Sequence, residues 1–585
     1  MSKFRKILAL ILCIFMLTVV LAGCADNEET KAPGTDNNSD TSEEDPSESS
    51  TSERETLSVG ATNLKMEAYE EDWWPSDFFD FMQETLNINF EWIEYDTDTS
   101  SLALASGELP DLMLINDSRA VLDGKLAIAM DDYLDEYGPN IKKNNIRNEM
   151  IRKYHSNGDS KLYFHTPNSG GEDLTGGTEI WNGNLVRWDL YKEIGAPEMK
   201  NDDDYINVLK QMQDLYPTTE NGDPVYGIGI HNDSGLWGWN MRAFANQGFS
   251  NVNSWNYAVN TNTNDLYSNF LDTENGPFWS NMEFYNKLYL EGLLDPDSFT
   301  MKAEEVKEKA SKGQYLGGYC QWYIGEFYET EREKDPSTLK GIISVPVAGQ
   351  NGWYGQNALV GWSDKLLFIT NKCENIPLAV KFIDFLDSEE GNRAHYSGIE
   401  GKHWKYNTEG IPEVLPETLT LRTQGGDEWS KTGISSFANI IGFSAFGTHS
   451  DGQYYSLFDD PAVKAQTLSP LQKDFSEFYG VEYPAQLHYN MVLEGKATNQ
   501  QNALHSTINM GVTSVPTDIA RIDSQSEEIV SRAVPSLVQA KDAAEFDAAK
   551  TQVLADLEKA NAQHAWDWWK TQWDESKTYV ESLGD

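Results

Sequence analysis

The chain has 585 residues and carries 93 aspartates and glutamates against 45 lysines and arginines, a formal charge of −48. That acidity argues against nucleic acid and against electrostatic attachment to anionic lipid, and it favours solubility. The length exceeds what one hydrophobic core supports and predicts two or three domains.

Lys3, Arg5 and Lys6 precede an apolar run from Ile7 to Leu21, broken only by Cys13 and Thr18. This is the layout of an export signal, and the run is too short for a spanning helix, which needs roughly 20 apolar residues. The stop at Leu21-Ala22-Gly23-Cys24 resembles a bacterial lipoprotein signal, which implies removal of residues 1–23 and a lipid on Cys24. From Ala25 to Thr56 there is no aromatic residue. Residues 24–55 therefore read as a disordered, acidic, Ser/Thr-rich linker, unable to bury enough apolar surface to offset its ordering entropy. Two cysteines remain, Cys320 and Cys373. They are either one disulfide or two separate buried thiols, and sequence does not decide.

The first folded stretch, ETLSVGATNL, alternates Leu57, Val59 and Ala61 as a strand. Ser76-Asp77 opens a helix through Phe78, Phe79, Phe81, Met82 and Leu86. INFEWIEY alternates as a second strand, a short helix lies around residues 101–106, and DLMLIN is a compact run suited to a buried strand. Strand, helix, strand, helix, strand implies a parallel sheet with right-handed crossovers. Further on, Ile376, Ala379, Val380, Ile383 and Leu386 recur at helical spacing. The tail from Ser524 to Leu583 reads as helical throughout, with a stripe of Trp566, Trp569 and Trp573 suited to a core.

Ala105-Ser106-Gly107-Glu108-Leu109-Pro110-Asp111-Leu112 resembles the small-Ser-Gly-acid-x-Pro-Asp signature of family 1 extracellular solute-binding proteins, the sugar-type receptors of bacterial ABC importers. In order along the chain, GKLAIAMDDYLDEYGPNI, GDSKLYFHTP, LVRWDLYKEIGAP, GGYCQWYIGEF, LKGIISVPVAG and SGIEGKHWKYN resemble further elements of that family, the last of its large lipoprotein subgroup. The resemblance implies an α/β, two-lobed, periplasmic-binding-protein-like fold of type II with hinged lobes and a helical C-terminal extension. Lobe 1 would comprise 56–165 with 366–435, and lobe 2 would comprise 166–365 with 436–585. It implies a membrane-anchored extracellular receptor that captures an oligosaccharide between the lobes and delivers it to ABC transporter permease subunits. Such a receptor touches the membrane through its N-terminal lipid alone, on a Gram-positive envelope, works as a monomer and needs no cofactor. The Pro217–Pro224 loop lacks the alternating acids of a calcium loop, so no metal is expected there.

Flat indoles cover the apolar faces of sugars, while amides and charged groups satisfy hydroxyls on burial. The candidate ligand contacts are accordingly aromatic and polar residues in expected loops. Trp73 and Trp74 follow the first strand, and Asn116, Asp117 and Arg119 follow DLMLI at its carboxyl end. Trp237, Trp239 and Asn240 sit in a glycine-spaced stretch read as a loop. Trp322 and Tyr323 fall where the family places a stacking aromatic. Trp353 lies in NGWYG, Trp362 near the return crossing, and His403 with Trp404 in the last matched element. For each, packing is the alternative role, and Arg187 reads as scaffold paired with Asp189. The alternatives to a sugar receptor are a receptor for a peptide or other solute, and a secreted polysaccharide hydrolase. No H-E-x-x-H or G-x-S-x-G motif and no Cys/His cluster at metal spacing supports an enzyme.

Overall fold

The computed structural model describes residues 54–62, 76–166, 180–233, 235–252, 254–350, 366–436, 447–497, 504–513 and 515–584. Cys24, Trp73, Trp74, Trp353 and Trp362 lie outside the described residues, as do the signal and all but the end of the linker.

Two hydrophobic cores organise the body. The first is built on a five-stranded sheet in the order β2-β1-β3-β11-β4. Its members are β1 (Glu55–Thr62), β2 (Ile88–Tyr95), β3 (Leu112–Ile115), β4 (Phe164–His165) and β11 (Leu366–Ile369). β1 pairs in parallel with β2 and with β3, as the strand–helix alternation predicts. β11 enters antiparallel between β3 and β4, a pairing that closes only when the chain returns some 200 residues later.

Local chemistry sets the helix ends. Ser76 caps the helix Asp77–Leu86 by accepting from the Phe79 amide at 3.2 Å, and Asn87 ends it in the left-handed region at φ 54°. The next helix, Thr97–Ser106, begins earlier than the sequence suggests. The Asp96 carboxylate caps it by accepting from the Thr99 amide at 2.7 Å, and Gly107 stops it at φ 71°. Asp111, the end of the signature, accepts from the Ser58 amide at 2.9 Å and the Ser58 hydroxyl at 2.6 Å. Its role is to tie β3 to β1.

The second core surrounds an antiparallel sheet in the order β10-β5-β9, made of β5 (Asn182–Arg187), β9 (Gly317–Cys320) and β10 (Ile342–Ser344). A separate meander of β6 (Phe249–Val252), β7 (Ser254–Asn260) and β8 (Leu266–Ser268) packs nearby. Two discrete cores joined by chain crossings make a two-lobed α/β fold. Where the chain leaves the first sheet after β4, a buried ion cluster pins it. Arg147 donates to both Asp387 oxygens at 2.9 and 2.5 Å, His165 Nε2 lies 3.1 Å from the same carboxylate, and Arg147 also donates to the Thr166 carbonyl at 3.3 Å. The two ion-pair partners hold the Asp387 carboxyl far below its usual range against the opposing effect of burial, and burial lowers the His165 imidazole.

The tail folds as three helices, Thr517–Val538, Ala543–Lys559 and Ala562–Gly584. Their side chains enter both cores. Val530, Val534, Leu537, Val553 and Leu557 pack into the second core, whereas Trp569, Trp573 and Val580 pack into the first. Trp569 donates its indole N–H to Asp523 at 2.8 Å and Trp573 donates to the Asn264 carbonyl at 2.9 Å, so the tryptophan stripe is structural. Cys320 and Cys373 are separate buried thiols, each pushed up by burial, to about 12 and about 11. Among the described residues, no helix is long and apolar enough to cross a membrane.

Candidate ligand-binding site

Strand register in the second lobe brings aromatic residues together from three distant segments. Asn182 at the start of β5 pairs with Cys320 at the end of β9, and the Gln321 amide donates to the Trp181 carbonyl at 2.8 Å. The residues just outside that pairing, Trp181 and Trp322, therefore meet, with ring centres 6.0 Å apart. Both stay largely in solvent, 44% and 48% exposed. Trp322 also stacks near Trp237, at 6.5 Å and 30° between planes. Tyr323 lies 5.4 Å from Trp237, and His231 packs against both, 4.4 Å from Tyr323 and 5.5 Å from Trp237. Asp233 holds the His231 ring from Nδ1 at 2.8 Å.

The stretch read as a loop at Trp237 is instead the first turn of the helix Trp237–Gln247. Gly238 permits its close approach, because a Cβ there would sit 2.9 Å from the His231 carbonyl oxygen and 3.1 Å from the Tyr319 hydroxyl. Helical spacing separates the residues of that stretch. Trp237 turns toward the aromatic wall, whereas Trp239 and Asn240 face inward, 1% and 0% exposed. Trp239 stacks on Phe299 at 5.5 Å and donates to the Asn232 side chain at 3.1 Å. Asn240 donates to the Leu236 carbonyl at 2.8 Å and accepts from Asn269 at 3.1 Å.

Trp181 and Trp322 border an open groove of about 1040 Å³, also lined by Gln321, Tyr328, Gln424 and Gln472. Aromatic faces beside amides and hydroxyls suit a ligand with apolar faces and polar edges.

In the first lobe, β3 ends at Asn116, Asp117 and Arg119, all exposed on the rim of a cavity of about 540 Å³. The carboxyl ends of strands are where ligand loops gather in open α/β sheets. Asp117 accepts from the Arg119 amide at 2.9 Å, which shapes the turn. The cavity's wall is cross-linked by buried His155, which lies 2.9 Å from the Ser118 hydroxyl through Nδ1 and 2.9 Å from the Met510 carbonyl through Nε2. A carbonyl only accepts, so Nε2 carries the proton and Nδ1 accepts from Ser118. Burial pushes this imidazole down to about 4.

His403 and Trp404 are buried. His403 Nδ1 accepts from the Ile399 amide at 2.9 Å and Nε2 lies 3.2 Å from Asp77 at the start of the 77–86 helix. Trp404 donates to the Gly398 carbonyl at 2.8 Å. Gly398 sits at φ 80°, where a Cβ would lie 2.4 Å from His403 Nδ1. Arg187 is buried and bidentate to Asp189 at 3.0 and 2.7 Å. Sequence patterning does not pick out Trp181, His231 or Tyr319. Trp181 stands beside Asn-Gly-Asn, a signal that could have been read, whereas the other two are placed only by packing.

No family model matches the chain. Lipoprotein LipO of Bacillus subtilis (strain 168) is 23% identical over 314 residues, 53% of this chain, and the match spans 59% of that protein's length. Among solved structures, the S. pneumoniae ABC-transporter substrate binding protein FusA, in complex with kestose, superposes with a TM-score of 0.58 at 16% identity, over 90% of this chain and 100% of that one. An HMO-binding, ABC-transporter-associated solute binding protein from Bifidobacterium longum infantis gives 0.55 at 15% identity, over 89% and 99%. The alginate-binding protein AlgQ2 gives 0.54 at 16% identity, over 90% and 99%. The chain thus has the two-lobed fold of solute-binding proteins, carried here with a helical C-terminal extension.

Proposed function

We propose that this protein is an extracellular receptor that captures an oligosaccharide and passes it, chemically unchanged, to the permease of an ABC transporter. A lipid on Cys24 would hold it at the outer face of the membrane, with residues 24–55 as the tether. The observation that carries this reading is the pair of half-exposed indoles, Trp181 and Trp322, side by side over a polar groove. Exposed aromatic faces cost solvation unless a ligand covers them, and sugar rings offer C–H faces of matching size. Trp322 and Tyr323 are the sequence candidates this reading retains first, with Trp237 behind them. Asn116, Asp117 and Arg119 would supply polar contacts from the first lobe. The fold shared with FusA and with the HMO-binding protein supports the same reading.

Thermal unfolding of the whole protein in a panel of oligosaccharides tests it. A ligand at about 100 times its dissociation constant adds about 2.7 kcal/mol of stability. The same glycan should be recovered intact after prolonged incubation. A flat response to every glycan together with a shift by peptides would replace the sugar reading with a peptide one, and sustained release of reducing ends would replace it with a hydrolase.

A further inference from the structure

We propose that the groove beside Trp181 and Trp322 takes an anionic oligosaccharide, one bearing a carboxylate or a sulfate, and that Arg422 reads that charge. This rests on the sugar-binding reading above and narrows its ligand class.

Arg422 lines the groove from the last turn of the helix Pro416–Gln424. Its guanidinium lies 4.2 Å from the Phe458 ring centre and 5.8 Å from that of Trp429. Stacking of this kind holds the planar fork in one orientation at little further entropy cost. The side chain is half-buried, yet among the described residues it makes no hydrogen bond and no ion pair. The buried Asp459 carboxylate attracts both Arg422 and Lys464, and Lys464 is the cation that pairs with it, at 3.6 Å. In a chain with about twice as many acids as bases, this half-buried guanidinium still has no hydrogen-bonded carboxylate among the described residues, its attraction to Asp459 acting only at longer range.

The groove's other charges are sorted by wall. Its three acids, Glu326, Glu329 and Glu333, all belong to the helix Glu326–Lys334, and Glu329 pairs with Arg332 of the same helix at 2.6 Å. Lys473, from the helix Pro470–Tyr479, is exposed and also without an ion pair among the described residues. One wall therefore accepts hydrogen bonds from hydroxyls, and the Arg422 and Lys473 side offers cations. A guanidinium fork matches the two oxygens of a carboxylate or sulfate, whereas a neutral sugar leaves that fork unused.

The test is calorimetric titration of the whole protein with matched glycan pairs. These are trigalacturonate with its carboxyl-reduced counterpart, glucuronate-substituted xylotriose with xylotriose, and a sulfated galactan trimer with its desulfated form. The anionic member of at least one pair should bind about tenfold tighter or better, since hydrogen bonds between charged groups are the strong ones. That advantage should shrink as salt rises, and the uronate and sulfate pairs distinguish the two anions. R422Q should abolish the advantage and leave neutral-glycan affinity in place. Should R422Q fail to fold by circular dichroism, exposed K473Q carries the test, with the advantage reduced about threefold. Neutral members binding as tightly as anionic ones, or an advantage that survives in these variants, overturns this inference and leaves the sugar receptor standing. No glycan of either kind binding overturns both.

Discussion

Trp181 and Trp322 face one another at 6.0 Å because β5 and β9 pair with Asn182 opposite Cys320, leaving one indole just beyond each strand end. Neither side chain is needed to fill a core, and both are about half exposed. Their position is structural, but their surface is available.

Replacing either indole should therefore separate binding from stability. Trp322→Ala and Trp181→Ala are each expected to weaken glycan binding about tenfold or more, as loss of a stacking face does, while shifting the unfolding free energy by less than about 1 kcal/mol. Calorimetry and urea unfolding measure the two effects. A large loss of stability with unchanged affinity would assign these tryptophans to packing.

Trp239, two residues from Trp237, is expected to behave in the opposite way. Its ring is enclosed by Phe299 and Tyr285, so Trp239→Ala leaves a cavity and costs about 3–5 kcal/mol. Urea unfolding should register that loss. A variant as stable as the parent would contradict the buried placement.

The Arg147–Asp387 pair is expected to be costly to break from one side. Asp387→Asn leaves a buried guanidinium without its counter-charge, at a cost of about 3–5 kcal/mol. Because Arg147 also holds the Thr166 carbonyl at the crossing out of the first sheet, protease sensitivity near residue 166 should rise as well. Unchanged unfolding and unchanged cleavage would remove the pair from the crossing's support.

Acid is expected to destabilise the protein before its carboxylates titrate. Burial lowers His155, His488 and His505 to about 4 and His395 to about 3. Below the ordinary imidazole value of about 6.5 the unfolded chain takes up protons that the folded chain refuses, so stability falls with pH by about 1.4 kcal/mol per unit for each such histidine. Above that value the four contribute no slope. Asp387, held low, adds a further loss only as pH falls below the ordinary carboxylate range. The melting temperature should be level above about pH 7 and drop between about 6.5 and 5.5. A melting temperature that rose over that interval would show the imidazoles to be accessible to protons.

Much of the first lobe was legible because its signals are local. Alternation in Leu57, Val59 and Ala61, the Ser76 cap, Gly107 and the apolar run before Asn116 each act within a few residues, and the parallel order of β1 to β3 follows from the helices between them. The spacing of Trp566, Trp569 and Trp573 by itself predicts a core stripe. Gly and Asn around Trp237 predict a loop, yet the helix there is stabilised by burial of Trp239 against residues from other segments. Nothing within the stretch reports that burial.

The amino-acid order by itself determined the helices that carry their own caps and periodicity, the parallel strands and the abundance of aromatic and acidic groups, since caps, periodicity and charge are properties of neighbours in the chain. Only the tertiary structure decided which indoles stay in water, which histidines stay neutral and which arginine lines the groove. Those outcomes depend on strand register and on packing between segments hundreds of residues apart, where burial and distance, rather than residue type, set the energy.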